Sequence, residues 1–170
     1  MSDLKDSKKQ FSQIYDKYID RIYRFIFLKI GSQETAEDIC SDVFTRFWLN
    51  LDRGEKIDNN QAFLYQIARN LVADHYRQNK VKFVPIQDCP EIPDNQPNLE
   101  EKALVKSDFD RIKLALNKIK PEYQDLIIFH YLDELSVAEI AKIMDKSEGN
   151  IRVMLHRGLN ALKKGCNKTA

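Results

Sequence analysis

Residues 85 to 101, PIQDCPEIPDNQPNLEE, hold four of the five prolines in the chain. Proline lacks the backbone N–H and its ring blocks the carbonyl four residues earlier, so prolines at this density exclude a helix interior or a central strand. Whatever folds must fold on either side. The same segment carries Asp88, Glu91, Asp94, Glu100 and Glu101 and no Lys or Arg, a local charge of −5 in a chain whose net charge is +1. Fully stretched, it spans on the order of 55 Å at about 3.3 Å per residue. The pattern predicts an extended acidic linker over residues 83–100, between an N-terminal unit, 1–82, and a C-terminal unit, 101–170.

Both flanks read as helical. In the first segment Phe11, Ile14, Tyr15, Tyr18, Ile22, Phe25, Ile26 and Lys29 recur at three- and four-residue steps, until Gly31 ends the helix and Ser32 offers a cap for the next. Ala36, Ile39, Val43, Phe44, Phe47 and Leu51 form one apolar stripe, with Glu37, Asp38, Ser41, Asp42, Thr45 and Arg46 on the other face. In a third helix Phe63, Leu64, Ile67, Leu71 and Val72 are expected inside, and Tyr65, Arg69, Asn70, Asp74, Arg77 and Lys80 elsewhere. Beyond the linker a helix is expected from about Leu99 to Ile119. Another opens at Pro121, apolar at Tyr123, Leu126, Ile127 and Tyr131. No segment alternates with period two, so the expected class is all-α: two small helical domains, each with a core of marginal independent stability.

Several function classes drop out. The first ten residues are polar, so no signal peptide is read, and no apolar run approaches the roughly 20 residues that span a bilayer. Membrane insertion is not expected. Cys40, Cys89 and Cys166 are odd in number and far apart, which fits a reducing cytoplasm better than a disulfide framework. His75, His130 and His156 lack metal-ligand spacing. No HExxH, phosphate loop or Ser-His-Asp set is found, and the expectation is no metal, no cofactor and no small-molecule substrate.

The stretch from 136 to 164, SVAEIAKIMDKSEGNIRVMLHRGLNALKK, contains two helix starts eleven residues apart. Ser136 and Glu139 have the spacing of a capping box, and Ser147 begins the second start. Ile140, Ile143 and Met144 are expected inside, with Ala141 small where a second helix crosses and Asp145 at a turn needing positive φ. Two helices crossing over so short a turn make a helix-turn-helix. From 146 onward Lys146, Arg152, Arg157, Lys163, Lys164 and Lys168 face a single Glu148, a local charge of +5. Ile151, Met154, Leu155, Leu159 and Leu162 supply the buried stripe of this second helix. A recognition helix sets its first turns in the major groove and lets basic side chains meet phosphates, which is what this distribution suits.

The whole chain resembles a bacterial sigma factor of the extracytoplasmic-function type. The likeness runs from about Phe11 to Lys164, carried by AEDICSDVFTRFW, by FLYQIARNLVADHYRQ, and by IKPEYQDLIIFHYLDELSVAEIAKIMDKSEGNIRVMLHRGLNALKK. It implies a protein that joins core RNA polymerase, directs it to promoter DNA and helps open the duplex, and that is no enzyme itself. Glu37, Asp38, Asp42, Arg46 and Trp48 fall in the segment that docks on polymerase. Asn59, Asn60, Tyr65, Arg69, Asn70, Asp74, Arg77 and Lys80 fall where the minus-ten element is read and melted. Tyr65 is suited to stacking, Asn70 to a base edge, Arg69, Arg77 and Lys80 to phosphates, and Asp74 either to orienting Arg77 or to contacting an amino group on a base. Asn150, Arg152, Val153, His156 and Arg157 would face the minus-thirty-five element. The linker, in family terms, threads the active-site and RNA-exit region of polymerase and mimics nascent RNA. Anti-sigma factors are commonly partners of such chains. Two other classes fit part of the pattern: a stand-alone helix-turn-helix regulator, and an interaction protein acting mainly through an anti-sigma partner.

Overall fold

The computed structural model describes residues 2–79 and 110–167. The expected linker, 83–100, and Lys80 lie outside them, as does the part of the expected Leu99–Ile119 helix before residue 110. The described residues are helices and short turns without a strand. Helix α1 (Ser2–Ile30) is followed by α2 (Gln33–Asp52) and α3 (Asn60–Asn79). After the gap come α4 (110–117), α5 (Pro121–Ile127) running into a π turn (Ile128–Leu132), α6 (Val137–Met144) and α7 (Glu148–Asn167).

Local chemistry explains the breaks. Gly31 takes φ 82°, a left-handed conformation that costs a residue without Cβ little. The Ser32 side chain then accepts a hydrogen bond from the Thr35 N–H at 3.4 Å, and α2 begins. Helix α3 begins where the Asn59 side chain accepts from the Ala62 N–H at 3.0 Å. Pro121 stands in the first turn of α5, where its missing N–H has no helical partner to lose.

The N-terminal unit is a three-helix packing of α1, α2 and α3. The expected α2 stripe is buried throughout, from Ala36 to Leu51. In the C-terminal unit α5 crosses α7 closely, because the Cα of Gly158 lies against Tyr123; a Cβ there would sit 3.2 Å from the Tyr123 Cβ. The π turn is where sequence periodicity misleads. Its wide turn shifts the residues beyond it around the helix axis, so Tyr131, expected on the apolar stripe, is 50 % exposed, and Asp133 and Leu135 turn inward instead.

The two units share one continuous core. The Phe129 ring stacks on Phe25 at 5.2 Å and meets Tyr65 edge-on at 5.0 Å. Fully burying side chains of this kind contributes roughly 1.5–3 kcal/mol each. Helix α3 is the hinge of the arrangement, touching α1 and α2 on one side and α6 on the other.

Candidate nucleic-acid interface

The helix-turn-helix is built as its residues dictate. The Ser136 side chain accepts from the Glu139 N–H at 3.1 Å, while the Glu139 carboxylate accepts from the Ser136 N–H at 2.9 Å. This closes the box at the start of α6. Asp145 ends the helix at φ 53°, ψ 51°, and the Lys146 N–H returns to the Ala141 carbonyl at 3.1 Å. Two residues on, Ser147 accepts from the Asn150 N–H at 3.2 Å and α7 starts. Ile140, Ala141, Ile143, Met144, Ile151, Met154 and Leu155 bury the seam between the helices.

That seam fixes which face of α7 is left outside. Asn150, Arg152, Val153, His156 and Arg157 are all exposed. Val153 is 48 % exposed, unusual for a β-branched apolar side chain and suited to contact with a thymine methyl. Arg152 is loosely tethered to Glu148 at 3.5 Å, and His156 Nε2 lies 3.3 Å from the Asn160 amide. Such exposed pairs contribute little energy, so both side chains are available to a ligand.

Helix α3 presents Asn70, Asp74 and Arg77 outward, and Asp74 does hold Arg77, at 3.4 Å across three residues. Two residues of the same expected set stand elsewhere. The expectation of an outward Tyr65 is corrected: it is 0 % exposed, and its hydroxyl donates to the Asp133 carboxylate at 2.7 Å. Burial first, then the Asp133 charge and hydrogen bond, push the phenol well above its ordinary range. Arg69 is drawn inward as well, with its Nε 2.9 Å from Asp125 Oδ2. Asn59 is occupied in capping α3, and Asn60 is half-buried in its first turn.

On α2 the side chains of Glu37, Asp38, Asp42 and Arg46 are exposed along one face. Trp48 is half-buried, its ring edge-on to Phe11 at 5.4 Å. Beside it lies a cleft of about 500 Å³ lined by Phe11, Tyr15, Phe44, Thr45 and Trp48 among others. Cys40 lies at the same cleft, its thiol pushed up to about 11 by burial, which makes it an inert packing group. Among the described residues no group of His, Cys, Asp and Glu is gathered as metal ligands, and no helix is long and apolar enough to cross a membrane.

Four charged residues escaped the sequence reading of the site: Arg24, Lys29, Asp125 and Asp133. Lys29 recurs with the apolar stripe of α1, and Asp125 sits in the apolar run DLIIF. A lone charge in such surroundings is the available signal of a buried ion pair.

Two helical units, the second carrying a capped helix-turn-helix with a polar outer face, are the architecture of a DNA-binding protein. Comparison with known proteins agrees. Residues 14–81 match the family model for Sigma-70 region 2, and residues 109–162 match that for Sigma-70, region 4. The chain is 31 % identical over 157 residues to the ECF RNA polymerase sigma factor BldN of Streptomyces coelicolor, covering 89 % of this chain and 58 % of that protein. It is 29 % identical over 171 residues to the ECF RNA polymerase sigma factor SigW of Bacillus subtilis, covering 94 % and 90 %. Its fold is similar to that of CnrH, solved with the cytosolic domain of CnrY, at TM-score 0.73, 15 % identity and coverage of 96 % and 91 %. The sigma factor RpoE of Bartonella quintana, solved with the anti-sigma factor NepR, gives TM-score 0.69, 22 % identity and coverage of 94 % and 98 %. The chain belongs to the sigma-70 family of RNA polymerase sigma factors, in its extracytoplasmic-function group. Members of this family act in promoter-directed transcription initiation.

Proposed function

We propose that this chain works in the cytoplasm as a promoter-specificity subunit with no catalytic step of its own. It docks on core RNA polymerase through the outer face of α2, where Glu37, Asp38, Asp42, Arg46 and the edge of Trp48 are presented. Helix α3 reads and opens the minus-ten element: Asn70 offers a donor and an acceptor to a base edge, and Arg77, held by Asp74, meets phosphate. Asn59, Asn60 and Lys80 extend that surface, and Tyr65 and Arg69 join it once the C-terminal unit has moved away. Helix α7 enters the major groove of the minus-thirty-five element with Asn150, Arg152, Val153, His156 and Arg157. The units act as 1–82 and 101–170, with the acidic segment 83–100 lying on the path of the nascent RNA. An anti-sigma protein is the expected partner that holds the chain idle; the similar sigma factor RpoE was solved with the anti-sigma factor NepR.

The observation that carries this proposal is the arrangement of α6 and α7. The capped stop and restart buries the apolar seam and leaves five polar, basic or methyl-bearing side chains together on the outer face. Extruding a base costs a few kcal/mol of stacking and pairing, which contacts made only to the open strand must offset. Asn70→Ala in the holoenzyme is therefore expected to lower the permanganate reactivity of promoter thymines severalfold while the enzyme still binds duplex promoter. Unchanged reactivity would remove α3 from the role. Co-elution with core polymerase on gel filtration separates the proposal from a stand-alone regulator, which would elute alone.

A further inference from the structure

We propose that Glu148, the first residue of α7, is a specificity-determining residue that selects a cytosine in the minus-thirty-five element, next to a guanine read by Arg152. This rests on the assignment of α7 to that element and adds a residue and a base to it. Helix α7 carries Arg152, Arg157, Lys163 and Lys164 and one acidic side chain, Glu148. The Glu148 carboxylate stands in the turn that enters the groove, where the phosphates repel it. It is exposed, and it shares one flank of the helix with Arg152, four positions on. Arg152 Nη2 lies 3.5 Å from Glu148 Oε2, and both side chains are more than half exposed. Gly149 adjoins them, and a Cβ there would meet nothing within 4 Å. With no side chain at that point, the first turn can approach base edges closely.

The chemistry of the base edges decides which base tolerates a carboxylate in that place. An ionised carboxylate accepts hydrogen bonds and donates none. In the major groove cytosine offers its N4 amino group, a donor. Guanine offers the acceptors O6 and N7, and thymine offers the acceptor O4 beside a methyl group, so both set oxygen or nitrogen lone pairs against Glu148. Adenine, with a donor at N6 and an acceptor at N7, falls between. Arg152 has the opposite need, because a guanidinium donates twice, to guanine O6 and N7. The 3.5 Å between the two side-chain tips matches the roughly 3.4 Å between successive nucleotides along a strand. The pair is therefore spaced to address adjacent base pairs, one through cytosine and one through guanine. Arg152 also offsets the phosphate field at Glu148, so the carboxylate is held where it would otherwise be driven out. A carboxylate in the first turn suits the helix dipole as well, but that role changes stability and leaves base preference alone.

The test uses the full chain assembled with core polymerase. Holoenzyme is bound to duplex DNA randomised over both promoter elements, and the bound and free molecules are sequenced. Wild type should favour cytosine over guanine or thymine by about fivefold or more at one minus-thirty-five position that adjoins a preferred guanine. Glu148→Ala should reduce that cytosine preference below about twofold and keep the guanine. Glu148→Gln should move the preference toward adenine, because an amide accepts from N6 and donates to N7. Far-UV circular dichroism reports whether each variant stays folded. Wild type with no such cytosine overturns the proposal, and so does a cytosine preference that persists in Glu148→Ala. A Glu148→Ala variant that loses the guanine alone overturns it too, since Glu148 would then only brace Arg152. Arg152→Ala separates this from the assignment of α7. If Arg152→Ala erases the guanine while both Glu148 variants select as wild type does, Glu148 loses its role and α7 remains the reading helix. If none of the three variants alters selection in that region, the assignment of α7 falls with the proposal.

Discussion

Tyr65 shows how much one buried hydroxyl decides. Its ring fills the space between Phe25 and Phe129, and its O–H satisfies one oxygen of a carboxylate that has no route to water. Tyr65→Phe keeps the ring and leaves that oxygen without its donor, a loss of about 1–3 kcal/mol by the usual cost of an unsatisfied buried acceptor. The same group ties stability to pH. The folded phenol is raised above the value of about 10 that it has in the unfolded chain. A raised acid keeps its proton in the native state, so the stabilisation is fully present below pH about 10 and is lost as pH climbs past it. Tyr76 is raised too, by burial and then by Asp125, and adds to the same limb. Urea midpoints measured from pH 8 to 11 are expected to fall above pH 10 in wild type and to fall less steeply in Tyr65→Phe. Equal slopes would mean that Tyr65 is not a linked group.

At the scale of elements, the turn between α6 and α7 is the best specified part of the chain and also slightly strained. Asp145 sits at φ 53°, where an L residue is disfavoured and Gly is not. Asp145→Gly is expected to stabilise by about 0.5–1 kcal/mol, the relief of that strain set against a looser unfolded chain. Ser136→Ala removes half of the capping box and should cost about 1 kcal/mol. Melting temperatures should therefore move in opposite directions, each by a few degrees, about 2–4 °C per kcal/mol for a chain of this size. The caps, the α2 stripe and the helix-turn-helix were legible because they depend on neighbours within four residues or on a single buried face. Helix α3 was legible only in part. Periodicity reveals one apolar face, and α3 has two buried faces, an apolar one against α1 and α2 and a mixed one against the C-terminal unit. Tyr65, Gln66 and Arg69 lie on the second. Their partners are 56 to 77 residues away, and no local pattern encodes that pairing. Asp125 and Asp133 were missed for the same reason, and Tyr131 because a π turn shifts the helical phase beyond it.

For the whole molecule the question is whether two units with separable roles also fold separately. Domains of roughly 60 residues bury a smaller fraction of their surface than larger ones, about 60 %, and are marginal alone. Here the aromatic cluster of Phe25, Tyr65 and Phe129 and the carboxylates beneath it belong to both units at once. Neither unit can unfold without exposing the other's buried rings and stranding its buried charges, so a single cooperative transition is expected by calorimetry. Phe129 is the residue on which that coupling turns. It is fully buried, and its ring packs against Phe25 and Tyr65 of the N-terminal unit. Phe129→Ala should cost about 3–5 kcal/mol, lowering the first melting temperature by roughly 6–20 °C. Beyond that loss, it should resolve the transition into two, because the contact that made the units melt together is the one removed. A variant that melts lower but still in one step would show that the polar contacts alone couple the units. One that melts as wild type would mean that the closed arrangement is not the dominant form of the free chain.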